Sequence, residues 1–447
     1  MQTLKGKIVA PVLSIACAAF LMCACGAFQS AKTTSATVFV PPAAPLAPDS
    51  ATNDGALRFL ENKVKNDPED FSANNKLAGL YLQKLRETGN VAYLDLTFRL
   101  ARASLDSVPE VRNAGGLAAL ALAEYALHDF TNARDHAVRL SELEPTKSYP
   151  QGILGDALLE LGDYERAEIA FKKITLLDGG ATHGSETRFA RLAQLKGDNA
   201  GAQKHFADAL VFALNQSAPP RETVAWLRWQ LGETAFSTGD YKTAEKYYRD
   251  SLTTFPDYYR AVASLGRARA AQNDLPGAIE QYEKVTRILP DPSYVAALGD
   301  LYKLAERDED AKRQYALVEQ IGRLSELSGT LYNRQLALFY ADHDIKSEEA
   351  YQLASKEYAA RKDIYGADAV AWTALKAGKI TEAQAAMKDA LRLGINDARL
   401  FYHAGMIEKA LGNKAEAAEY LQKALKINPA FDALQSEKAR AALQELK

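Results

Sequence analysis

The chain has 447 residues and a formal net charge of −3 at pH 7; 47% of its residues are hydrophobic and 25% are charged. This composition is ordinary for a soluble protein with a continuous core. The mildly acidic balance gives no support to nucleic-acid binding, which needs clustered lysine and arginine to neutralise phosphates. All three cysteines lie within the first 25 residues, which excludes nucleophilic thiol chemistry in the body of the chain.

The N-terminus has the composition of a secretory leader. Two lysines precede an almost wholly apolar stretch, residues 8–22, which is too short for a confident membrane span. The stretch runs into Leu21-Met22-Cys23-Ala24-Cys25-Gly26, which resembles the lipobox of bacterial lipoproteins. Cys25 is the best match to the cysteine that receives lipid and becomes the new N-terminus. We therefore interpret residues 1–25 as a lipoprotein signal peptide.

The resemblance implies an acylated protein held on a membrane, because each buried methylene contributes about 0.8 kcal/mol. Gly26 and Ala27 follow the cysteine and no aspartate does. By resemblance to enterobacterial lipoproteins, this favours the outer membrane, facing the periplasm, over retention in the inner one. Two alternatives stay open: cleavage near residues 24–27 that releases a soluble periplasmic protein, and an uncleaved membrane anchor.

Residues 26–55 are rich in alanine, proline, serine and threonine and have no helical periodicity. Such a composition predicts a disordered tether. A flexible chain of this length spans roughly 30 Å on average, at about 5–6 Å times the square root of its length. The tether is consistent with a folded part that moves clear of a membrane.

The body of the chain repeats one pattern. A glycine or alanine is followed twelve residues later by an alanine, and the first small residue recurs every 33 to 42 residues, a period typical of paired-helix solenoids. The pairs are Gly155/Ala167, Gly232/Ala244, Gly266/Ala278, Gly299/Ala311, Ala371/Ala383 and Gly405/Ala417, and Ala190 and Ala337 hold the first position in two further units.

The clearest unit runs from Trp226 to Pro256. It contains Leu231-Gly232, the turn Gly239-Asp240-Tyr241, then Ala244 and Tyr248. This pattern resembles the tetratricopeptide repeat and recurs with drift in at least four further units. The resemblance implies an all-α, right-handed superhelical solenoid of about ten helix-turn-helix units.

Elementary chemistry agrees with this interpretation. Small residues let two helices approach closely, and Tyr248 fills the gap to the next repeat. The turn glycine adopts positive φ to end the first helix, and Asp240 then caps the second. The unit with Ala337 and Ala350 lacks a turn glycine, which predicts a longer turn near residues 342–347.

The largest irregularity is the 42-residue step around residues 215–220. We interpret it as a seam between an N-terminal sub-array, 56–221, and a C-terminal array, 222–430; a longer second helix with a tolerated surface loop is the alternative. Residues 431–447 are predicted to form a C-terminal capping helix.

No recognised catalytic, nucleotide-binding or calcium-binding motif occurs, so the chain is not expected to be an enzyme. The six histidines are scattered, and of the closest pair, His128 falls in a turn, so no metal and no cofactor are expected. The carboxylate runs lie in polar turns and at helix starts, where solvation or capping explains them. An enzyme with an unrecognised site is kept as a remote alternative.

The resemblance implies that the concave surface is lined by the first helix of each repeat, at the second, fifth, ninth and twelfth positions. Carried onto the best-defined repeat and the one that follows it, these positions give the groove candidates Trp226, Trp229, Glu233, Phe236, Arg260 and Arg267. Tryptophan and arginine often dominate binding energy. The alternative is that the two tryptophans pack beneath the loop that contains Pro219 and Pro220. For the two arginines, pairing with Glu233 and binding a partner carboxylate both stay open.

The functional hypothesis is a membrane-anchored envelope lipoprotein that acts as a scaffold or assembly factor and binds another protein or peptide in its groove. An accessory role in polysaccharide or pilus secretion is the alternative. Neither nucleic acid nor metal is expected as a partner.

Overall fold

The structure is a computed structural model that describes residues 38–47, 49, 54–328 and 333–446. The predicted signal peptide with Cys25, and the tether up to residue 37, lie outside the described residues. Within the described ranges the regular secondary structure is helical and contains no strand.

Twenty-two α-helices follow one another in these ranges. They are α1 Asp54–Asn66, α2 Phe71–Thr88, α3 Ala92–Ser107, α4 Ala114–Ala126, α5 Phe130–Leu143, α6 Tyr149–Glu160, α7 Tyr164–Leu177, α8 His183–Leu195, α9 Asn199–Leu214, α10 Arg221–Ser237, α11 Tyr241–Thr254, α12 Tyr259–Ala271, α13 Leu275–Ile288, α14 Pro292–Leu304, α15 Asp308–Ser328, α16 Asn333–Asp342, α17 Ser347–Ala360, α18 Ile364–Lys376, α19 Ile380–Ala390, α20 Ala398–Leu411, α21 Lys414–Ile427 and α22 Gln435–Glu445.

From α2 to α21 the helices form ten consecutive pairs, with α1 before them and α22 after them. The two helices of each pair pack against each other, as short connections between helices require. The predicted all-α solenoid of about ten paired-helix units is confirmed.

The small residues of the repeat lie where the two helices of a pair touch. A Cβ on Gly266 would lie 2.8 Å from the ring of Tyr282, and one on Gly299 would lie 2.5 Å from the ring of Tyr315. Each ring therefore needs the glycine of its own pair. Tyr248 also belongs to a core cluster with Leu265 of the following pair, so the expected filling of the gap to the next repeat is confirmed.

The predicted turn chemistry is present. Gly239 has a φ of 81° between α10 and α11, and the Asp240 side chain accepts a hydrogen bond from the Thr243 N–H at 3.1 Å. His128 lies in a turn, as expected, with a φ of 62°. The unit without a turn glycine has a connection of four residues, 343–346, which confirms the longer turn.

At the 42-residue step, much of the extra length is helix. α10 begins at Arg221, and α12 begins at Tyr259. Counted back from the repeat glycine, Gly232 in α10 and Gly266 in α12, α10 begins about one helical turn earlier than α12. α9 and α10 still pack against each other across the connecting residues.

Part of the expected tether has a defined position. Residues 38–47 contain no regular helix or strand, yet Val38, Val40 and Leu46 pack on a core cluster of α8 to α11. The Arg228 guanidinium, which is 1% exposed, donates to the Pro41 carbonyl at 3.1 Å and the Pro42 carbonyl at 2.9 Å. This differs from the disordered tether expected for residues 26–55, because the apolar side chains and carbonyls find partners on the solenoid.

Connections far apart in sequence also touch, and we call these contacts the stacking seam. The turn between α6 and α7 faces the connection between α17 and α18, where the Tyr164 hydroxyl accepts from the Ile364 N–H at 2.9 Å, 200 residues apart. The turn between α8 and α9 faces the connection after α19, and the turn between α10 and α11 faces the connection after α21. Later repeats of the array therefore lie on earlier ones.

Candidate binding groove

The groove candidates lie on two neighbouring first helices, α10 and α12. Trp229 is half-buried, and its indole N–H donates to the Ser264 hydroxyl at 2.9 Å. Trp226 is also half-buried and meets the ring of Phe206 edge-on, with the centroids 6.0 Å apart. Trp226 therefore packs partly on α9, whereas Trp229 joins α10 to α12.

Glu233 and Arg267 form an ion pair between adjacent repeats. One Arg267 terminal nitrogen donates to both carboxylate oxygens of Glu233 at 2.7 Å, and the guanidinium lies 4.1 Å from the centroid of the Phe236 ring. Glu233 also accepts from the hydroxyls of Tyr248 and Ser264. Of the two alternatives for this arginine, the structure therefore shows pairing with Glu233.

Arg260 behaves differently from Arg267. Its guanidinium lies over two aromatic rings, 5.5 Å from the Trp229 centroid and 5.0 Å from the Tyr259 centroid. Among the described residues, no carboxylate lies within ion-pair distance of it. The arginine is therefore held by cation–π contacts, and the structure does not show the alternative in which it pairs with Glu233.

Neighbouring groups shift the pKa values of Arg267 and Tyr282. Burial lowers the pKa of the Arg267 guanidinium, but its interaction with the Glu233 carboxylate outweighs burial, so the pKa is raised above its usual value. Burial also raises the pKa of Tyr282 to about 12. Arg267 therefore stays charged and this tyrosine stays protonated at neutral pH.

A row of alternating charges runs through the repeats, and sequence reasoning found only part of it. The residue that directly follows the first small residue of the pair is Asp156, Arg191, Glu233, Arg267 and Asp300 in five consecutive repeats. Asp156, Arg191 and Asp300 were not predicted as site residues, although they hold the same position of the repeat as Glu233 and Arg267. We call this row the charge ladder.

The stacking seam carries its own buried ion cluster. Arg361 donates to Glu160 at 2.6 Å across 201 residues and lies 2.8 Å from Asp363. Arg334 binds the same Asp363 and Glu357. Burial opposes ionisation of Asp363, but the charges of Arg334 and Arg361 outweigh it, and the pKa of this carboxyl is lowered. Asp363 therefore remains ionised, whereas burial raises the pKa of Glu160. The cluster joins α6 to the connection after α17.

Two cavities border the ladder. The larger, of about 750 Å³, lies between α12, α14 and residues 429–440. The smaller, of about 250 Å³, is lined by Arg191, Trp229 and Glu233, and by residues 395–397 from the seam. A cavity of the larger size is in the range that holds small ligands.

The described part of the chain contains no group of three or more histidine, cysteine or acidic side chains placed to hold a metal ion. Of the helices in that part, none combines the length and the apolar character needed to cross a membrane.

The fold and groove define a helical-repeat protein with a charged and aromatic inner surface. The model of the tetratricopeptide repeat family matches residues 118–181, 230–291 and 370–433. The chain therefore contains tetratricopeptide repeats, as the sequence pattern indicates. None of the curated proteins compared with the chain matches it.

Solved structures are similar at low identity. A tetratricopeptide repeat protein from Parabacteroides merdae ATCC 43184 is 15% identical, with a TM-score of 0.34 over 59% of this chain and 98% of that one. Human IFIT1, solved as a dimer with PPP-AAAA, is 15% identical, with a TM-score of 0.47 over 76% of this chain and 78% of that one.

Proposed function

We propose that this chain is a non-catalytic scaffold of the bacterial cell envelope, anchored to a membrane through lipid on Cys25, that binds another protein or peptide on the concave surface of α10 to α14. Tetratricopeptide repeats generally bind proteins or peptides, which supports a binding role. The chain offers no recognised catalytic motif. The binding role and the anchoring rest on different residues and are tested separately.

One observation supports the choice of surface. Trp229, Arg260 and Arg267 are each only half-buried. Arg260 lies over the Trp229 ring, and hydrogen bonds join Trp229 to Ser264 and Arg267 to Glu233. The larger cavity opens beside Arg267. Partly exposed aromatic and arginine side chains beside a concavity are the residues that most often dominate a binding interface. The surface is therefore preorganised for a partner.

Site-specific photo-crosslinking in the native envelope tests the surface. A photoreactive residue at Ala270, which lines the larger cavity, is expected to capture one dominant protein or peptide, identified by mass spectrometry. The matched control is the same residue at Leu176, which is 78% exposed on α7. Equal captures at both positions, or none at Ala270, would contradict the proposed surface.

The anchor has its own test. Cys25→Ser is expected to abolish palmitate labelling and to move the protein out of the membrane fraction, because the acyl chains supply the membrane affinity. Cys23→Ser, a poor lipobox match, is the control and should leave both unchanged. Undiminished labelling of the Cys25→Ser protein would refute lipid attachment at this residue.

A further inference from the structure

Two neighbouring pairs of charged residues in the charge ladder differ in whether they form an ion pair. Glu233 and Arg267 are joined directly at 2.7 Å. Arg267 and Asp300 hold the corresponding positions of the next two repeats and line the same cavity, but in the described residues no ion pair joins them. Opposite charges thus face a shared space of about 750 Å³ instead of each other.

Arg267 keeps hydrogen-bonding capacity on this side. Its pairing with Glu233 uses one terminal nitrogen, and the other terminal nitrogen takes part in no hydrogen bond within the described residues. The guanidinium therefore has an unused N–H donor. An acceptor such as a carboxylate within the cavity would pair with it, because a guanidinium matches a carboxylate in geometry and charge.

Asp300 offers the opposite chemistry. Its Oδ1 accepts from the Tyr315 hydroxyl and faces the His343 Nε2, both at 2.8 Å. Its Oδ2 takes part in no hydrogen bond within the part of the chain that the structure describes. Burial raises the pKa of this carboxyl, and the hydrogen bond from His343 offsets part of the rise. A cation against Oδ2 would stabilise the ionised form.

The other residues that line the larger cavity leave room for a short peptide. Ala263, Ala270 and Ala297 leave room where α10 carries larger groove residues, and Tyr282 and Tyr294 supply aromatic faces. An extended tripeptide spans about 10 Å, at 3.3–3.6 Å per residue. A cavity of about 750 Å³ has room for a peptide of this length.

We propose that this cavity binds a short zwitterionic peptide, with its carboxylate against Arg267, its ammonium against Asp300 and its central side chain between Tyr282 and Tyr294. The ligand class is a free oligopeptide of about three residues rather than an internal segment of a protein, because only a free peptide carries both end charges. This inference rests on the proposed binding surface and names its ligand.

Calorimetry with the purified full chain in detergent tests the proposal. The probes are Ala-Phe-Ala with free ends, its N-acetylated form, its C-amidated form and the doubly blocked peptide. The free peptide is expected to bind, and each single block to weaken binding at least tenfold. No binding of the free peptide at millimolar concentration, or equal binding of the blocked forms, would overturn the proposal.

Variants assign the two ends. Asp300→Asn is expected to remove the penalty for N-acetylation, and Arg267→Gln the penalty for C-amidation. Asp106→Asn, exposed on α3 and without a hydrogen bond or ion pair in the described structure, should keep both penalties. Ala270→Leu fills the cavity without changing its charge and should reduce binding of the free peptide. Unchanged penalties in the first two variants would overturn the assignment even if the blocked peptides bind weakly.

The two proposals fail in different ways. If photo-crosslinking from Ala270 captures a defined protein but no tripeptide binds, the scaffold role stands and the zwitterion site is refuted. If the free peptide binds with both penalties while nothing is captured, the zwitterion site stands and the scaffold role is refuted.

Discussion

The stacking seam and the larger cavity are two outcomes of the same geometry. At the turns after α6, α8 and α10, a connection from a later repeat lies directly on the earlier turn. The turn after α12 instead faces the cavity, with Asn273 and Leu275 on one side and α22 on the other. Where a later connection covers the turn, backbone groups are buried, and at the turn after α6 an ion cluster is buried with them. Where α22 stands opposite, space remains for a ligand.

The largest effect is expected from removal of the ion cluster of the seam. Arg361→Ala leaves Glu160 buried without this partner and removes one of the two arginines that pair with Asp363. Breaking a buried pair typically costs about 3–5 kcal/mol. Urea unfolding followed by circular dichroism measures the loss. Arg166→Ala, which removes an exposed pair with Asp163, should cost less than about 1 kcal/mol. Similar losses in the two variants would show that the seam carries little stability.

On the open side, the tryptophans test whether the groove binds through its aromatic residues. The double variant Trp226→Ala, Trp229→Ala is expected to weaken affinity for the captured partner by more than about 1–2 kcal/mol. Affinity is measured by titrating the partner onto the immobilised full chain, with Leu176→Ala on the outer surface as control. Loss of helicity in the double variant would assign the pair to internal packing instead.

A smaller effect is expected at the edge where the seam and the larger cavity meet. The Tyr241 hydroxyl donates to Asn428 at 2.5 Å and accepts from the Ala430 N–H at 2.9 Å. Tyr241→Phe removes both bonds and should destabilise the fold by about 0.5–1.5 kcal/mol per bond. Tyr351→Phe, whose hydroxyl has no hydrogen bond in the described structure, is the matched control. An equal effect of both in thermal unfolding would exclude a role for this contact.

The smallest expected effect concerns pH at the cavity wall. Burial lowers the pKa of His343, but the hydrogen bond to Asp300 and the nearby carboxylates outweigh it, and the pKa is raised above 6.5. The stabilisation from the protonated ring is therefore complete below pH 6.5 and is lost as the pH rises through the higher, folded-state pKa. His343→Gln should flatten the decline of unfolding free energy with pH in that window. An unchanged slope would show that His343 titrates normally.

The sequence predicted contacts between neighbouring repeats well. Gly239 predicts a turn and Asp240 predicts a helix cap, because turns and caps depend on residues only a few positions away. The pairing of Glu233 with Arg267 also follows from one repeat period. Arg361 and Glu160 could not be matched in this way, since their contact depends on small rotations accumulated over 201 residues. The docking of residues 38–47 was hidden too, because a composition typical of disorder says nothing about a complementary surface.

The seam also changes what the turn glycines mean. A Cβ on Gly162 would meet the Lys362 carbonyl, one on Gly197 would lie 2.5 Å from the Gly394 carbonyl, and one on Gly239 would lie 3.1 Å from the Ile427 carbonyl. In an open solenoid each repeat touches only its neighbours, so repeats can be gained or lost one at a time. Here the deletion of a single middle repeat would shift three such contacts out of register at once. The array is therefore expected to unfold cooperatively and to tolerate changes in repeat number only at its periphery.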